Sequence, residues 1–331
     1  MLHRIPSEMT GLIHAVIQQE SCDALALYSI LHKFSTKQYR TMKTFPSNRR
    51  RLAVIGDPIA HSLSPALQNF LIAHFDLPFH YEAARVSSEG LPAFVQRMRT
   101  GEFAGANVTL PHKQTVVSLL DELTPSAQSM GAVNTIVCEA GLLRGYNTDA
   151  PGFTRCLQAA GVAIKNQAVL VLGAGGAATA VVHALLAAGV GAIYICNREA
   201  ARAKKICEKI SRGNSEKMRL LKWEEREDWL RLRPVTMIIN ATSAGMPPQQ
   251  NVSPLSRSAF YAGLHVVDLI YRPRETLFLR EAKQAGALTW NGLPMLIYQG
   301  VAALELWSRQ QFECSHIYAE IERRLCAEID S

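Results

Sequence analysis

The sequence lacks the cysteine patterns of a metal-binding or disulfide-stabilised domain. Its seven cysteines are an odd number, lie scattered along 331 residues and include no Cys-x-x-Cys pair. Most of them sit in apolar or amphipathic segments, where a free thiol behaves as a small hydrophobic side chain. Such usage is typical of a reducing compartment. We therefore predict a cytoplasmic protein without a metal site.

The sequence also has little net charge outside its first 51 residues. That segment holds eight of the 35 Lys and Arg residues and three of the 28 Asp and Glu residues, which accounts for +5 of the formal net charge of +7. The rest of the chain is nearly neutral, so we predict no nucleic-acid partner. We interpret residues 1–50 as a dispensable or disordered extension, with Met42 as an alternative start. Nucleic-acid binding by this basic segment is an alternative that rests on charge alone.

One stretch has no formal charge at all. It runs for 29 residues, from Ala168 to Cys196, and its length alone would allow a transmembrane helix. Five glycines interrupt the stretch, however, and its pattern changes from strand-like to helical and back. A β-strand–helix–β-strand unit buried on both faces has the same hydropathy. We predict such a unit, and no membrane partner.

From residue 51 onward, strand patterns alternate with helical patterns, which is typical of α/β proteins. The first half is predicted to contain strand 51–59, helix 64–77, strand 80–86, helix 90–101, strand 103–110, helix 113–123 and a pair of strands within 132–149. The second half is predicted to contain helix 150–162, strand 168–172, helix 176–188, strand 192–196, helix 199–211, strands 235–240, 264–269 and 287–290, and helices 293–310 and 317–329.

A glycine-rich turn joins the strand at 168–172 to the helix that follows it. Its pattern, Gly173-x-Gly175-x-x-Ala178, matches the dinucleotide-binding fingerprint, in which the third position can be Ala. Glycines there allow a tight turn and let a pyrophosphate approach the backbone N–H groups at the start of the helix. The strand–turn–helix–strand context makes this a specific signal for a Rossmann-type domain.

The end of the next strand bears on which dinucleotide would bind. An NAD site normally carries an acidic residue there for the ribose 2′-hydroxyl. Here the strand is followed by Asn197, Arg198 and Glu199, with Arg202 one helical turn later. Two guanidinium groups suit a 2′-phosphate, so the pattern favours NADP. Glu199 leaves NAD open, because its carboxylate could repel that phosphate or bind the diol of NAD.

Nine motifs that occur in order from about residue 51 to the C-terminus resemble those of the shikimate dehydrogenase family. They are "GDPIAHSLSPALQN" (56–69), "GANVTLPHK" (105–113), "GAVNTI" (131–136), "GYNTDAPGF" (145–153), "VLGAGGAA" (171–178), "NR" (197–198) followed by Arg202, "INATSAGM" (239–246), "DLIYRPRET" (268–276) and "NGLPMLIYQG" (291–300). The resemblance covers everything except the extension, and nine ordered motifs are far more specific than any one of them.

The resemblance implies reversible, NADPH-dependent reduction of the C3 ketone of 3-dehydroshikimate to shikimate, in the biosynthesis of aromatic amino acids through chorismate. It implies an α/β substrate-binding catalytic domain at 51–150, a doubly wound Rossmann-type domain at 151–290, and C-terminal helices at 291–331 that pack back on the first domain. It leaves the oligomeric state as a monomer or a homodimer.

The resemblance also implies roles for individual residues, matched position by position. For the substrate carboxylate they are Ser62, Ser64 and Tyr271; for the ring hydroxyls Thr109, Asn134, Asp149 and Gln299; for acid–base chemistry Lys113; for the pyrophosphate Gly173, Ala174, Gly175, Gly176 and Ala177; for the adenosine phosphate Asn197, Arg198 and Arg202; and near the nicotinamide Leu269 and Gly292. Two positions depart from the family pattern: Glu199 stands where many relatives carry Thr or Ser, and Leu269 replaces a common Met.

The residue types are consistent with these roles, although each has a plainer interpretation. Neutral donors and acceptors at strand ends suit a polyhydroxylated acid, but Ser64 and Asp149 could simply cap helices and Asn134 could be a turn residue. Lys113 could be the solvated end of a strand. We instead predict that Lys113 donates a proton to the ketone oxygen and that Asp149 orients its ammonium.

Two rival functions remain open from sequence alone. One is a quinate/shikimate dehydrogenase that accepts NAD. The other is a catalytically silent, dinucleotide-sensing protein with the same fold, which would be expected to have lost Lys113 or Asp149.

Overall fold

The structure, a computed structural model, describes residues 49–210, 215–232 and 235–330. The predictions for the N-terminal extension, including those for Met42 and the basic residues before position 49, fall outside these residues and stay predictions. Described residues from Arg50 onward belong to one compact unit.

The first part of the described chain builds a mixed sheet. Its elements are β1 Arg50–Gly56, α1 Ser64–His74, β2 Phe79–Arg85, α2 Leu91–Arg99, β3 Gly105–Val108, a 3₁₀ helix Thr115–Leu119, β4 Glu122–Leu123, α3 Pro125–Met130, β5 Thr135–Glu139 and β6 Leu142–Tyr146. The strand order in this part of the structure is β2-β1-β3-β5-β6-β4. Strand β1 lies parallel to β2 and β3, whereas β5 runs antiparallel to both β3 and β6.

The prediction of a helix at 113–123 is wrong. This segment contains only the 3₁₀ helix Thr115–Leu119 and the two-residue strand β4, which pairs with β6 and forms the sheet edge beyond the predicted pair of strands. The run of β-branched residues from Thr115 to Val117 disfavours an α-helix. Asp121 then accepts a hydrogen bond from the Leu143 N–H at 2.7 Å, which turns the chain toward β6. The short helix α3, capped by the Thr124 side chain, was not predicted.

The second part builds a parallel sheet. Its elements are α4 Asp149–Ala159, β7 Ala168–Leu172, α5 Gly176–Ala187, β8 Ala192–Cys196, α6 Ala200–Ile210, a 3₁₀ helix Ser215–Lys217, β9 Met218–Leu221, α7 Arg226–Leu232, β10 Met237–Asn240, a 3₁₀ helix Arg257–Ala259, β11 His265–Asp268, α8 Leu277–Gln284 and β12 Leu288–Trp290. The order is β12-β11-β10-β7-β8-β9, and each neighbouring pair is parallel. This is the doubly wound order, in which the strand sequence reverses between β7 and β10 and leaves a ligand crevice there.

The uncharged stretch from Ala168 to Cys196 forms the predicted strand–helix–strand unit. Strands β7 and β8 and helix α5 all contribute buried side chains to the core of this second part, which explains why the stretch needs no charge. No helix among the described residues is long and apolar enough to cross a bilayer. Strand β9 and helix α8 were missed by the sequence prediction.

The last two helices, α9 Leu293–Ser308 and α10 Tyr318–Asp330, pack on the first sheet. Leu293, Ile297 and Leu304 of α9 share a buried cluster with Leu52 and Val54 of β1. Helix α9 therefore follows the edge strand β12 of the parallel sheet and packs against the face of the mixed sheet. The domain limits proposed at 150 and 290 stay predictions.

Candidate active site

The candidate site forms where the parallel strands of the first sheet end. The loops after β1 and β3 are joined by two backbone hydrogen bonds, from Thr109 N–H to Ile55 O at 2.9 Å and from Asp57 N–H to Leu110 O at 3.0 Å. Carboxyl ends of parallel strands lie at one edge of a sheet, which is where α/β proteins bind ligands. This geometry brings the segment with Ser62 and the segment with Thr109 to the same edge.

Lys113 and Asp149 meet in this region. The Lys113 Nζ donates to Asp149 Oδ2 at 2.6 Å, although the two residues are 36 positions apart. Their side chains are only 20% and 9% exposed. A half-buried ammonium held by a buried carboxylate is not the solvated end of a strand, so that plainer interpretation of Lys113 is wrong.

Asp149 is in turn held by Asn134. The Asn134 amide donates to Asp149 Oδ1 at 2.8 Å and to Thr148 Oγ1 at 3.0 Å, while its oxygen accepts from the Thr148 N–H at 2.7 Å. Helix α4 begins at Asp149 with Thr148 at the N-cap position, and no side chain among the described residues caps it. Asp149 is therefore not a helix cap, and its two oxygens face Lys113 and Asn134.

Two threonines complete this network, and the sequence analysis missed both of them. Thr135 Oγ1 donates to Asn134 Oδ1 at 3.0 Å and lies 3.2 Å from Thr148 Oγ1. Both threonines are buried, as is Asn134. Their positions directly beside Asn134 and Asp149 in the motifs "GAVNTI" and "GYNTD" were the signal that could have found them.

The two serines lie beside each other at the start of α1. The Ser64 N–H donates to Ser62 Oγ at 3.3 Å. The N-cap position of this helix is Leu63, and within the described residues no side chain caps it, so the interpretation of Ser64 as a cap is wrong. Tyr271, from the loop after β11, packs against the same hydrophobic cluster that α1 helps to form. Burial raises the pKa of the Tyr271 phenol.

Gln299 lies beside the helix that begins with Asp149. Its Nε2 donates to the Leu296 carbonyl of its own helix at 2.9 Å, and the side chain is half-buried. A Cβ on Gly152 would lie 2.8 Å from both the backbone nitrogen and the Cβ of Gln299. The glycine therefore allows α4 and α9 to approach closely enough to bring Gln299 near Asp149.

The glycine turn of the second sheet adjoins Lys113. Gly173 has a φ of +107°, and a Cβ there would lie 2.6 Å from the carbonyl oxygen of Ala241, which directly follows the neighbouring strand β10. Only glycine suits that position. A Cβ on Gly175 would meet nothing within 4 Å, and one on Gly176 would lie 3.8 Å from Lys113 Cδ. The Lys113 side chain thus reaches the start of α5.

The residues predicted to surround the adenosine phosphate lie at the end of β8. Asn197 Nδ2 donates to the Glu199 carbonyl oxygen at 2.8 Å, and Arg202 Nε donates to Glu199 Oε2 at 2.9 Å. The Arg202 and Glu199 side chains are 62% and 65% exposed, and Arg198 is exposed beside them. Glu199 therefore engages one of the two arginines that were predicted to bind phosphate.

A second buried carboxylate, also missed from sequence, lies at the end of β11. Asp268 is fully buried and accepts hydrogen bonds from Asn240 Nδ2 at 3.1 Å, Ile270 N–H at 3.0 Å and Thr276 Oγ1 at 2.6 Å. Burial raises the pKa of its carboxyl group to about 6, despite these three donors. The network fixes the segment that starts with Leu269.

Leu269 and Gly292, the two positions predicted near the nicotinamide, are also in contact. A Cβ on Gly292 would overlap the Leu269 carbonyl, and the Gly292 N–H donates to Ile270 O at 2.9 Å. The start of α9 therefore lies directly against the segment after β11. No group of three or more His, Cys, Asp or Glu side chains in the described part of the chain could hold a metal ion.

Comparison with known proteins agrees with this architecture. Residues 54–136 match the family model "Shikimate dehydrogenase substrate binding domain", and residues 156–275 match "Shikimate / quinate 5-dehydrogenase". The NADP(+) shikimate dehydrogenase of Desulforamulus reducens is 40% identical over 257 residues, which cover 77% of this chain and 88% of that protein.

Solved structures are similar over nearly their whole length. Shikimate 5-dehydrogenase from Listeria monocytogenes, in complex with shikimate and NAD, has a TM-score of 0.79 at 34% identity, covering 85% of this chain and 99% of that one. The Thermus thermophilus enzyme, in complex with NADP(H) and shikimate, has a TM-score of 0.74 at 39% identity, covering 83% and 99%. Two sheets in this order, a Lys–Asp pair beside a glycine turn, and these likenesses together show that the chain belongs to the shikimate dehydrogenase family.

Proposed function

We propose that this protein is an NADP-dependent shikimate dehydrogenase, which reversibly reduces 3-dehydroshikimate to shikimate. The observation that carries the proposal is the largely buried Lys113–Asp149 pair, with 2.6 Å between Nζ and Oδ2 and with the lysine side chain against the glycine turn. An acid–base group next to a dinucleotide turn suits a reaction that moves a hydride and a proton together.

In this proposal Lys113 moves the proton. When the hydride reaches the ketone carbon, negative charge develops on the ketone oxygen, and the Lys113 ammonium donates a proton to that oxygen. In the reverse direction the neutral amine takes the proton from the hydroxyl group. Asp149 holds the ammonium in a fixed orientation through the 2.6 Å hydrogen bond. Asn134 keeps the Asp149 carboxylate oriented through its 2.8 Å hydrogen bond.

The hydroxyl-bearing side chains recognise the substrate. Ser62 and Ser64 would bind the carboxylate, with Tyr271 closing the same end of the site. Thr109, Asp149 and Gln299 would bind ring hydroxyls. Asn134 would bind another by turning to the substrate the N–H that donates to Thr148 Oγ1, while its other N–H stays on Asp149. Neutral donors and acceptors in a partly buried site give specificity for a polyhydroxylated acid, because an analogue that lacks a hydroxyl leaves them unpaired.

The glycine turn fits a dinucleotide pyrophosphate. The space beside Gly175 is open, and no side chain among the described residues caps the start of α5, so the first N–H groups of that helix can face an anion. Gly173 to Ala177 would hold the pyrophosphate, and Leu269 and Gly292 would lie near the nicotinamide. Bound NADPH supplies the hydride for the ketone carbon.

Asn197, Arg198 and Arg202 would frame the 2′-phosphate of NADP. Arg198 is exposed at the rim, and the Arg202 guanidinium can exchange its exposed contact with Glu199 for a phosphate at little cost, because such surface pairs contribute about 0–1 kcal/mol. We therefore propose NADP as the preferred cofactor over NAD.

Initial rates with four combinations test the proposal: shikimate or quinate as substrate, with NADP or NAD as cofactor. We expect the highest kcat/KM with shikimate and NADP. A preference for quinate and NAD would instead identify a quinate dehydrogenase, and no turnover with any combination would leave only a dinucleotide-binding protein.

We also propose a cytoplasmic location and a monomeric or homodimeric state. The six cysteines within the described ranges carry free thiols, which suits a reducing compartment. Light scattering after size-exclusion chromatography would measure the oligomeric state, and fractionation of cells that express the full chain would test the location.

A further inference from the structure

A buried tyrosine lies next to the candidate site, outside the set of residues that the resemblance assigned. Tyr81, on strand β2, is 1% exposed, and its hydroxyl donates to Asn107 Oδ1 at 2.6 Å. Burial raises the pKa of this phenol well above its usual value of about 10, so the hydroxyl keeps its proton and remains a donor. A polar group this deep in a core needs a partner.

Asn107 connects the Tyr81 hydroxyl to Asn134 and Thr135. Strand β1 lies between β2 and β3, and Asn107 on β3 uses its Nδ2 to donate to Asn134 O at 3.1 Å and to Thr135 Oγ1 at 3.0 Å. A flipped amide would set its oxygen against the Asn134 carbonyl, which is also an acceptor. The orientation in which Oδ1 faces Tyr81 is therefore the one that satisfies all partners.

From Asn107 the hydrogen bonds continue to the acid–base pair. Thr135 donates to Asn134 Oδ1 at 3.0 Å, and Asn134 donates to Asp149 Oδ1 at 2.8 Å. The Ser64 side chain also interacts with the Tyr81 hydroxyl. Tyr81 thus interacts with the serine end of the candidate substrate site and is linked to Asp149, at the other end, through three intervening side chains.

We propose that Tyr81 is a positioning residue for shikimate turnover. It holds the Asn107 amide, and through it the Asn134–Asp149 contact, while its phenol also restrains Ser64. The inference rests on the proposed function, because it assigns Tyr81 to the substrate part of that site. It predicts that the hydroxyl of Tyr81 matters for the substrate and not for the nucleotide.

Tyr81→Phe isolates the hydroxyl. The ring and its packing against Trp307, 5.9 Å between ring centroids, stay in place. We expect kcat/KM for shikimate to fall about tenfold, as for a lost buried hydrogen bond, with the KM for NADP changed less than about twofold. Tyr261→Phe is the matched control, because the Tyr261 hydroxyl donates to the Val235 carbonyl in the second part of the structure. Tyr261 is 38% exposed, so Tyr261→Phe should lower Tm less than Tyr81→Phe does and leave kcat/KM for shikimate unchanged.

A double-mutant cycle tests whether Tyr81 acts through Asn107. Asn107→Ala should show the same selective loss, and it carries the test if Tyr81→Phe does not fold. Adding Tyr81→Phe to Asn107→Ala should then lower kcat/KM by clearly less than it does in the wild type, because the hydroxyl has lost its Asn107 partner and only its interaction with Ser64 remains.

Three results would overturn the inference: a wild-type kcat/KM for shikimate in Tyr81→Phe, a rise in the KM for NADP well beyond twofold in that variant, or fully multiplicative effects on kcat/KM in the double mutant. A wild-type protein without shikimate turnover would reject the proposed function, and this inference with it. An active wild type with an unaffected Tyr81→Phe variant rejects the inference alone.

Discussion

The two sheets contribute to the site in different ways. At the edge of the first sheet, the buried Asn134 and Asp149 and the half-buried Lys113 hold one another by direct hydrogen bonds of 2.6–2.8 Å. At the edge of the second sheet, the turn that begins at Gly173 offers backbone N–H groups and open space. We therefore expect the part of the site on the first sheet to lose function when a single polar atom is removed. The part on the second sheet should lose function when a single carbon is added to a glycine of the turn.

The two buried aspartates show the same contrast. Asp149 pairs with the Lys113 ammonium, whereas the donors to Asp268 are the neutral groups of Asn240, Ile270 and Thr276. Hydrogen bonds from neutral groups do not offset the burial of Asp268, and its pKa rises to about 6. The carboxylate of the proposed catalytic pair is thus matched with a cation, and the one that holds a loop is not.

The largest effect is expected for Lys113→Ala. Removing the ammonium takes away the proton donor, so kcat should fall by about 10²–10⁴-fold with little change in the dissociation constant for shikimate. Steady-state rates and calorimetric titration would measure the two quantities. The exposed Lys165→Ala is the control, and near wild-type turnover in Lys113→Ala would remove the lysine from the mechanism.

Two glycine substitutions should separate folding from nucleotide binding. Gly173→Ala forces a side chain into a φ of +107° and against the Ala241 carbonyl, so we expect the free energy of unfolding to fall by about 1–3 kcal/mol. Gly175→Ala has a φ of −91° and open space, so its stability should be unchanged. Its methyl group should instead raise the dissociation constant for NADP about tenfold. Equal effects of the two variants in both assays would contradict the assigned geometry of the turn.

Asp268 should make stability depend on pH. Its folded pKa of about 6 lies above the unfolded value of about 3.9, so the folded state holds the proton more tightly. Its contribution to stability is full below about pH 4, falls by about 3 kcal/mol as the pH rises to about 6, and is constant above that.

Denaturant unfolding of the wild type and of Asp268→Asn between pH 4 and 7.5 measures this contribution. The difference in unfolding free energy between the two proteins should move in favour of the neutral variant as the pH rises. Glu102→Gln is a control whose stability difference should change with pH in the opposite sense, because hydrogen bonds from Arg97 and Arg51 lower the pKa of Glu102 to about 2. A difference that does not change with pH would show that Asp268 is not perturbed.

The smallest effect is expected at the adenosine rim. Glu199→Thr removes a carboxylate that holds Arg202 and would lie near a 2′-phosphate, so the ratio of kcat/KM for NADP over NAD should rise about fivefold. Calorimetric titration with 2′,5′-ADP should show tighter binding of similar size. Glu208→Gln, at an exposed position of helix α6, which follows Glu199, is the control. An unchanged ratio would show that Glu199 does not influence cofactor choice.

Much of the fold could be predicted from the sequence because the signals are local. The unit β7–α5–β8 was predicted almost residue by residue, since an apolar strand, a glycine turn and an alanine-rich helix follow one another without a charge. The prediction of a helix at 113–123 failed because a short edge strand and a 3₁₀ helix have no clear periodicity of apolar residues. Pairing with β6 decides the conformation of the strand.

The candidate site was predictable in its residue types but not in its connections. Motif positions pointed to Lys113 and Asp149, and the structure adds that their atoms meet. Tyr81 and Asp268 were missed, because a tyrosine in a buried strand and an aspartate after one look like ordinary structural residues. Only the strand order shows that each has polar partners across the sheet.

By itself the sequence determined the α/β class, the dinucleotide turn and the supply of hydroxyl, amide and amino groups at strand ends, because these depend on local pattern and residue chemistry. The tertiary structure alone decided which of these groups share a proton or a hydrogen bond. Such contacts join residues far apart in the chain, and they depend on strand order, register and helix packing, none of which a local pattern contains.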